Sequence, residues 1–121
     1  MLQEAHFVSL HCPATPETRH LIGEDFLRQM KPTAFLINTS RGPVVDEQAL
    51  IRALQGHWIA GAALDVREPE PPLADSPLSQ MDNVILTPHA AYFSSPAVAK
   101  VPQRCGEEVA RVLDGLEGTS R

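Results

Sequence analysis

Ala34-Phe35-Leu36-Ile37-Asn38-Thr39-Ser40-Arg41-Gly42-Pro43-Val44-Val45-Asp46-Glu47-Gln48-Ala49-Leu50-Ile51-Arg52-Ala53-Leu54-Gln55-Gly56 holds a whole structural unit in one stretch. Ala34 to Ile37 is an apolar run without polar alternation, the pattern of a strand buried on both faces. Asn38 to Pro43 supplies loop residues. From Asp46 to Gln55 the period changes to that of a helix. Asp46 can cap the first turn, Leu50, Ala53 and Leu54 fall on one face, and Gly56 supplies the stop. Strand, loop and helix joined by short connections are the repeating unit of a parallel sheet.

The same alternation extends in both directions. Phe7 to Leu10 reads as a strand and Glu24 to Met30 as a helix; Ile59 to Leu64 and Val84 to Leu86 are further apolar runs. Short runs of this kind predict a parallel sheet with helices covering both sides, an α/β fold. Arg67 to Pro77, Arg-Glu-Pro-Glu-Pro-Pro-Leu-Ala-Asp-Ser-Pro, cannot form a regular ladder and predicts an irregular surface connection. Near the C-terminus Val98, Val101, Cys105, Val109, Val112 and Leu116 recur at helical spacing. Pro102 interrupts them, so that the helix either kinks there or begins there; a kinked helix is the expectation.

At 121 residues and 43% apolar content, the chain is the size of one domain with one core. A net charge of −5 with interleaved signs gives no basic stripe for nucleic acid. No apolar run reaches the length of a membrane span, and the first residues lack the pattern of a signal peptide, so a cytoplasmic location is expected. Two cysteines, Cys12 and Cys105, are too few for a disulfide scaffold and read as reduced. His6, His11, Cys12 and His20 lie close in sequence, but their spacing matches no zinc pattern, and no metal site is expected.

Three groups with chemistry to offer stand just past apolar runs: Arg41 after Ile37, Glu70 after Leu64, and His89 after Leu86. In a parallel sheet these positions share one rim, at the carboxyl ends of the strands, where open α/β folds bind ligands. Arg41 offers a planar fork of donors that fits a carboxylate. His89 can pass a proton to or from an oxygen, and Glu70 beside it would stabilise the charged ring. Glu68 is the rival carboxylate. Asp65, at the end of Ala62-Ala63-Leu64, can either accept hydrogen bonds from an amide or cap the following turn.

The blocks Asn38-Thr39-Ser40-Arg41-Gly42, Asp65-Val66-Arg67-Glu68-Pro69-Glu70-Pro71 and Thr87-Pro88-His89-Ala90-Ala91 together resemble the D-isomer-specific 2-hydroxyacid dehydrogenases, from Phe7 to about Leu116. The resemblance implies the C-terminal half of a doubly wound, Rossmann-like parallel sheet. Residues 1–93 would be part of an NAD-binding domain, and 94–121 a helical segment returning toward a substrate domain. It implies hydride transfer between a nicotinamide cofactor and a 2-keto or D-2-hydroxy acid, with Arg41, Glu70 and His89 catalytic. Cys12, Pro13, Thr18, Thr39, Ser40, Arg41, Asp65, His89 and Ala91 would contact the cofactor, NAD by default with NADP also open. A full-length homodimer is implied as well.

Two departures stand out. No Gly-x-Gly-x-x-Gly occurs, so the pyrophosphate-cradling turn is not encoded here, and the chain is expected to be a C-terminal fragment with an exposed sheet edge. In addition, His89-Ala90-Ala91-Tyr92 is closer to the branch containing the C-terminal-binding-protein corepressors. The alternatives are therefore a cofactor-sensing interaction scaffold or an inactive fragment.

Overall fold

In the computed structural model, which describes residues 2–71 and 75–115, four parallel strands form a single sheet in sequence order. They are β1 (Phe7–Leu10), β2 (Phe35–Asn38), β3 (Gly61–Leu64) and β4 (Val84–Leu86). Helix α1 (Glu24–Arg28) lies between β1 and β2, and α2 (Glu47–Gln55) between β2 and β3. Short 3₁₀ turns at Gly42–Val44 and Pro77–Gln80 complete the connections. The expected alternation of strand and helix is present throughout, with boundaries moved by one to two residues where loops cut into the apolar runs.

The strands are held in register so that Leu10, Asn38, Leu64 and Leu86 lie side by side. Asp46 caps α2, accepting from the Ala49 amide at 3.1 Å. Gly56 closes α2 for a different reason from the one its sequence position suggests. Its φ of −83° is open to any residue; a Cβ there would instead come within 2.5 Å of the Trp58 indole nitrogen. Trp58 in turn lies under the Arg28 guanidinium, 3.6 Å from the ring centre, tying the end of α1 to the end of α2.

One face of the sheet is the core. Leu10, Leu36, Ala62 and Leu64 point into it, and Leu27, Leu50, Ala53, Leu54 and Ile59 close over them. The opposite face departs from the expectation of helices on both sides. Phe7 and Phe35 stack there at 5.7 Å between ring centres, and Ile85 on β4, on the same face, is 67% exposed. Both helical connections follow a parallel strand with the same right-handed crossover, which puts α1 and α2 on the same side. The apolar runs did not alternate because the open face also carries hydrophobic side chains.

Residues Tyr92–Arg121 form a separate compact unit from Met1–Ala91. It is built on α3 (Ser95–Leu113), capped by the Ser94 hydroxyl, which accepts from the Ala97 amide. The helix runs unbroken through Pro102, so the alternative start at that proline is excluded. No residue of α3 is buried, and Val98, Val101, Val109 and Val112 are all exposed. Leu116, the last position of the apolar face read from sequence, lies outside the described residues.

Leu50 is fully buried at the centre of the core face. Leu50→Ala should cost about 2–5 kcal/mol in urea unfolding; a loss below about 1 kcal/mol would mean that α2 is not packed as described.

Candidate active site

Because the strands are parallel and in register, the loops that leave β1, β2, β3 and β4 emerge at one edge. The loops after β3 and β4 begin with residues whose backbone is tied to the neighbouring strand or loop. The Asp65 amide donates to Asn38 O at 2.9 Å, Thr87 N to Leu64 O at 3.0 Å, and His89 N to Asp65 O at 2.8 Å. The rim is thus an extension of the sheet.

Asn38 is buried and organises the arginine loop. Its side-chain Oδ1 accepts from the Ser40 amide at 3.0 Å and the Ser40 hydroxyl at 2.9 Å, while its Nδ2 donates to Arg41 O at 3.0 Å. Arg41 itself is exposed, with Nη1 donating to Ser40 O at 2.7 Å. That single bond leaves most of the fork for an anion. Thr39 is exposed beside it. Gly42 follows because nothing larger fits: a Cβ would lie 2.0 Å from Arg67 O. The arginine loop and the loop after β3 are therefore in backbone contact.

His89 and Glu70 meet directly, with Nδ1 and Oε1 2.6 Å apart. An ionised carboxylate can only accept, which puts a proton on Nδ1 and makes Nε2 the ring nitrogen not engaged by Glu70. His89 has a φ of 52°, in the left-handed region, where β-branched residues are strained. Glu68, the rival carboxylate, points elsewhere. It pairs with Arg19 at 2.9 Å and His20 at 3.2 Å, and these hydrogen bonds, His20 first and then Arg19, hold its carboxyl below the usual range.

What secures His89 is Asp65, whose carboxylate accepts from the loop after β4. Its Oδ1 accepts from the Thr87 hydroxyl at 2.5 Å and the Ala90 amide at 2.8 Å, and its Oδ2 from the Ala91 amide at 2.9 Å. Burial pushes this carboxyl upward, but bonds from Thr87, Ala91 and Ala90, with the nearby charge of His89, outweigh it and leave the group below its ordinary value. Ala91 enters the site through its backbone. In the loop after β1, the Thr18 hydroxyl donates to Pro13 O at 2.7 Å and accepts from the Thr15 amide, so Thr18 braces this loop, while Cys12 is half-buried at its start.

A second cluster gave no signal in the sequence. The irregular connection after β3 was expected to lie on the surface, yet the Arg67 side chain is 8% exposed and Ser76 is buried. Arg67 is bonded to Glu47 on α2 by two contacts, at 2.6 and 3.1 Å. A burying charge needs a partner, and here that partner is twenty residues away in sequence. Among the described residues no group of three or more His, Cys, Asp or Glu could hold a metal ion, and no helix is long and apolar enough to cross a membrane.

Residues 1–91 match the family model described as D-isomer specific 2-hydroxyacid dehydrogenase, NAD binding domain. The chain belongs to this family. It is 52% identical to a glyoxylate reductase of Korarchaeum cryptofilum over 90% of its own length and 33% of that protein. A D-isomer specific 2-hydroxyacid dehydrogenase from Lactobacillus delbrueckii ssp. bulgaricus, in NAD-complexed form, has a TM-score of 0.88 at 39% identity, over 98% of this chain and 40% of that one. A family member from Xanthobacter autotrophicus Py2, in complex with NADPH and MES, has a TM-score of 0.84 at 42% identity, over 98% of this chain and 48% of that one. The chain spans about a third of the length of the curated relatives it matches.

Asp65 makes the rim acid-sensitive in a definite direction. Its folded pKa lies below the unfolded value of about 3.9, so its contribution is complete above that pH and is lost as pH falls through the folded value. NMR titration should find the Asp65 carboxyl protonating below about pH 3.9, together with loss of exchange protection at the Ala90 and Ala91 amides. Titration at or above the ordinary value would contradict the three-bond arrangement.

Proposed function

We propose that this chain forms the catalytic rim of an oxidoreductase that transfers a hydride between a nicotinamide cofactor and a small 2-keto or D-2-hydroxy acid. The observation that carries the proposal is the contact between His89 Nδ1 and Glu70 Oε1, at 2.6 Å, on the same strand-end rim as Arg41. An acid, its carboxylate partner and an anion clamp are the groups that carbonyl reduction of a keto acid needs.

Arg41 binds the substrate carboxylate through its fork and orients the adjacent carbonyl toward the rim. His89 holds the transferable proton at Nε2 and gives it to the carbonyl oxygen as the carbonyl carbon accepts the hydride. Glu70 stabilises the imidazolium before transfer and fixes the ring's orientation afterward. In the reverse direction the neutral ring removes the hydroxyl proton. A bound reduced nicotinamide supplies the hydride and its two electrons, leaving oxidised nicotinamide and the 2-hydroxy acid.

The residues here suit the nicotinamide end of that cofactor. The rim offers backbone and side-chain groups of Thr39, Ser40, Arg41, Asp65, His89 and Ala91, and the half-buried Cys12 with Pro13 begins the neighbouring loop. Thr18 shapes that loop. The chain contains no glycine-rich phosphate turn, so pyrophosphate contacts are not among its residues. NAD is the proposed cofactor and NADP an alternative, since similar proteins are described with NAD and with NADPH. Glyoxylate heads the panel of keto acids to assay because of the identity to glyoxylate reductases. The enzyme reading is preferred over the interaction scaffold for the same reason.

A cytoplasmic location and homodimeric assembly of the full-length protein are part of the proposal. Free Cys12 and Cys105 accord with the first, and the second follows from the family resemblance. The net charge of −5 argues against nucleic acid as a partner.

In the complete polypeptide carrying this sequence, His89→Ala should lower kcat by about 10² to 10⁴, the usual share of a general acid. Unchanged turnover would remove His89 from the mechanism. Arg41→Lys should raise KM for the keto acid because the two-point fork is lost; an unaltered KM and kcat would argue against the clamp.

A further inference from the structure

We infer that Arg67, gripped by Glu47 and Ser76, is a positioning residue that holds Glu70 against His89. The inference rests on the proposed role of the His89 and Glu70 pair and adds what makes that pair possible. Glu70 is half exposed and stands outside any helix or strand. An exposed ion pair between side chains that must both be ordered is worth little by itself. Something else has to fix the loop.

Arg67 and Ser76 are the entrance and exit of that connection, and both are drawn to the same carboxylate. Arg67 donates through Nε to Glu47 Oε2 at 3.1 Å and through Nη2 to Glu47 Oε1 at 2.6 Å. Nη2 also donates to the Ser76 hydroxyl at 2.5 Å, and that hydroxyl donates to Glu47 Oε1 at 3.2 Å. The fork thus closes the base of the loop. A two-point contact fixes direction as well as distance, which a lysine could not do.

The anchor is firm at its other end. Glu47 is the first residue of α2, whose Leu50, Ala53 and Leu54 are buried in the core, so its backbone is fixed by the helix. The backbone of Arg67 also rests against Gly42, leaving no room for a Cβ. One residue further, Glu68 is strapped to Arg19 and His20. Only after these restraints does the chain reach Glu70. Arg67 contacts Glu47 and Ser76 and acts on His89 through the loop.

The test compares Arg67→Met, Glu70→Gln and the double variant Glu47→Gln/Arg67→Met in the complete natural polypeptide. Glyoxylate reduction gives kcat and KM, and nitrogen NMR of labelled histidine reads which nitrogen of neutral His89 carries the proton. The double variant leaves no unpaired buried charge, and so remains informative if Arg67→Met does not fold. Expected for Arg67→Met or the double variant is a fall in kcat of about tenfold to a hundredfold, part of a general acid's contribution, with KM little changed. The proton should at the same time move from Nδ1 toward Nε2, because the partner that held it has gone.

A folded variant with unchanged kcat and an unchanged Nδ1 proton would overturn the inference. If Glu70→Gln lowers kcat and the Arg67 variants do not, positioning fails and the catalytic pair stands. If Glu70→Gln leaves kcat unaltered while the Arg67 variants still lose the Nδ1 proton, the catalytic pair falls and the positioning role is upheld.

Discussion

Leu10, Asn38, Leu64 and Leu86 lie abreast across the sheet, and everything at the rim depends on that register. A slip of one residue along β2 would turn Asn38 from the core to the open face. The arginine loop that Asn38 ties together through Ser40 and Arg41 would turn with it, out of its place on the rim. The same holds for β3 and β4, where Asp65 N reaches Asn38 O and His89 N reaches Asp65 O. The site is therefore laid out by ladder geometry first and refined by side chains second.

Two carboxylates then divide the refinement. Asp65 gathers the loop after β4 by accepting from Thr87, Ala90 and Ala91, which sets the backbone of His89. Glu47 gathers the loop after β3 through Arg67 and Ser76, which sets the approach of Glu70. The two halves of the pair thus arrive on separately braced loops. Such division lets an exposed contact stay ordered without being buried, as exchange of a proton with a ligand requires.

Much of this was legible in the sequence because it is local. Asp46 announced α2 as a cap, and the switch from apolar run to helical period marked the unit around Arg41. Arg41, Glu70 and His89 were singled out as a set by the resemblance of their three blocks to the family; placement after apolar runs implied only that they share one rim. What was hidden is nonlocal. Glu47 at a helix start is already explained by the helix dipole, so nothing in its neighbourhood asks for Arg67. The uncovered sheet face was hidden because Phe7, Phe35 and Ile85 make the strands as apolar as if they were sandwiched. Gly56 ended α2 where expected, but for the sake of Trp58.

Trp58 has a practical consequence. It is the only tryptophan of the chain, and it lies between the end of α2 and the start of β3, at the edge of the sheet opposite the rim. The Arg28 guanidinium is stacked on its ring. The indole is therefore a built-in reporter on the far side of the domain: parting α1 from α2 takes the Arg28 guanidinium off its ring and changes what surrounds the chain's one tryptophan.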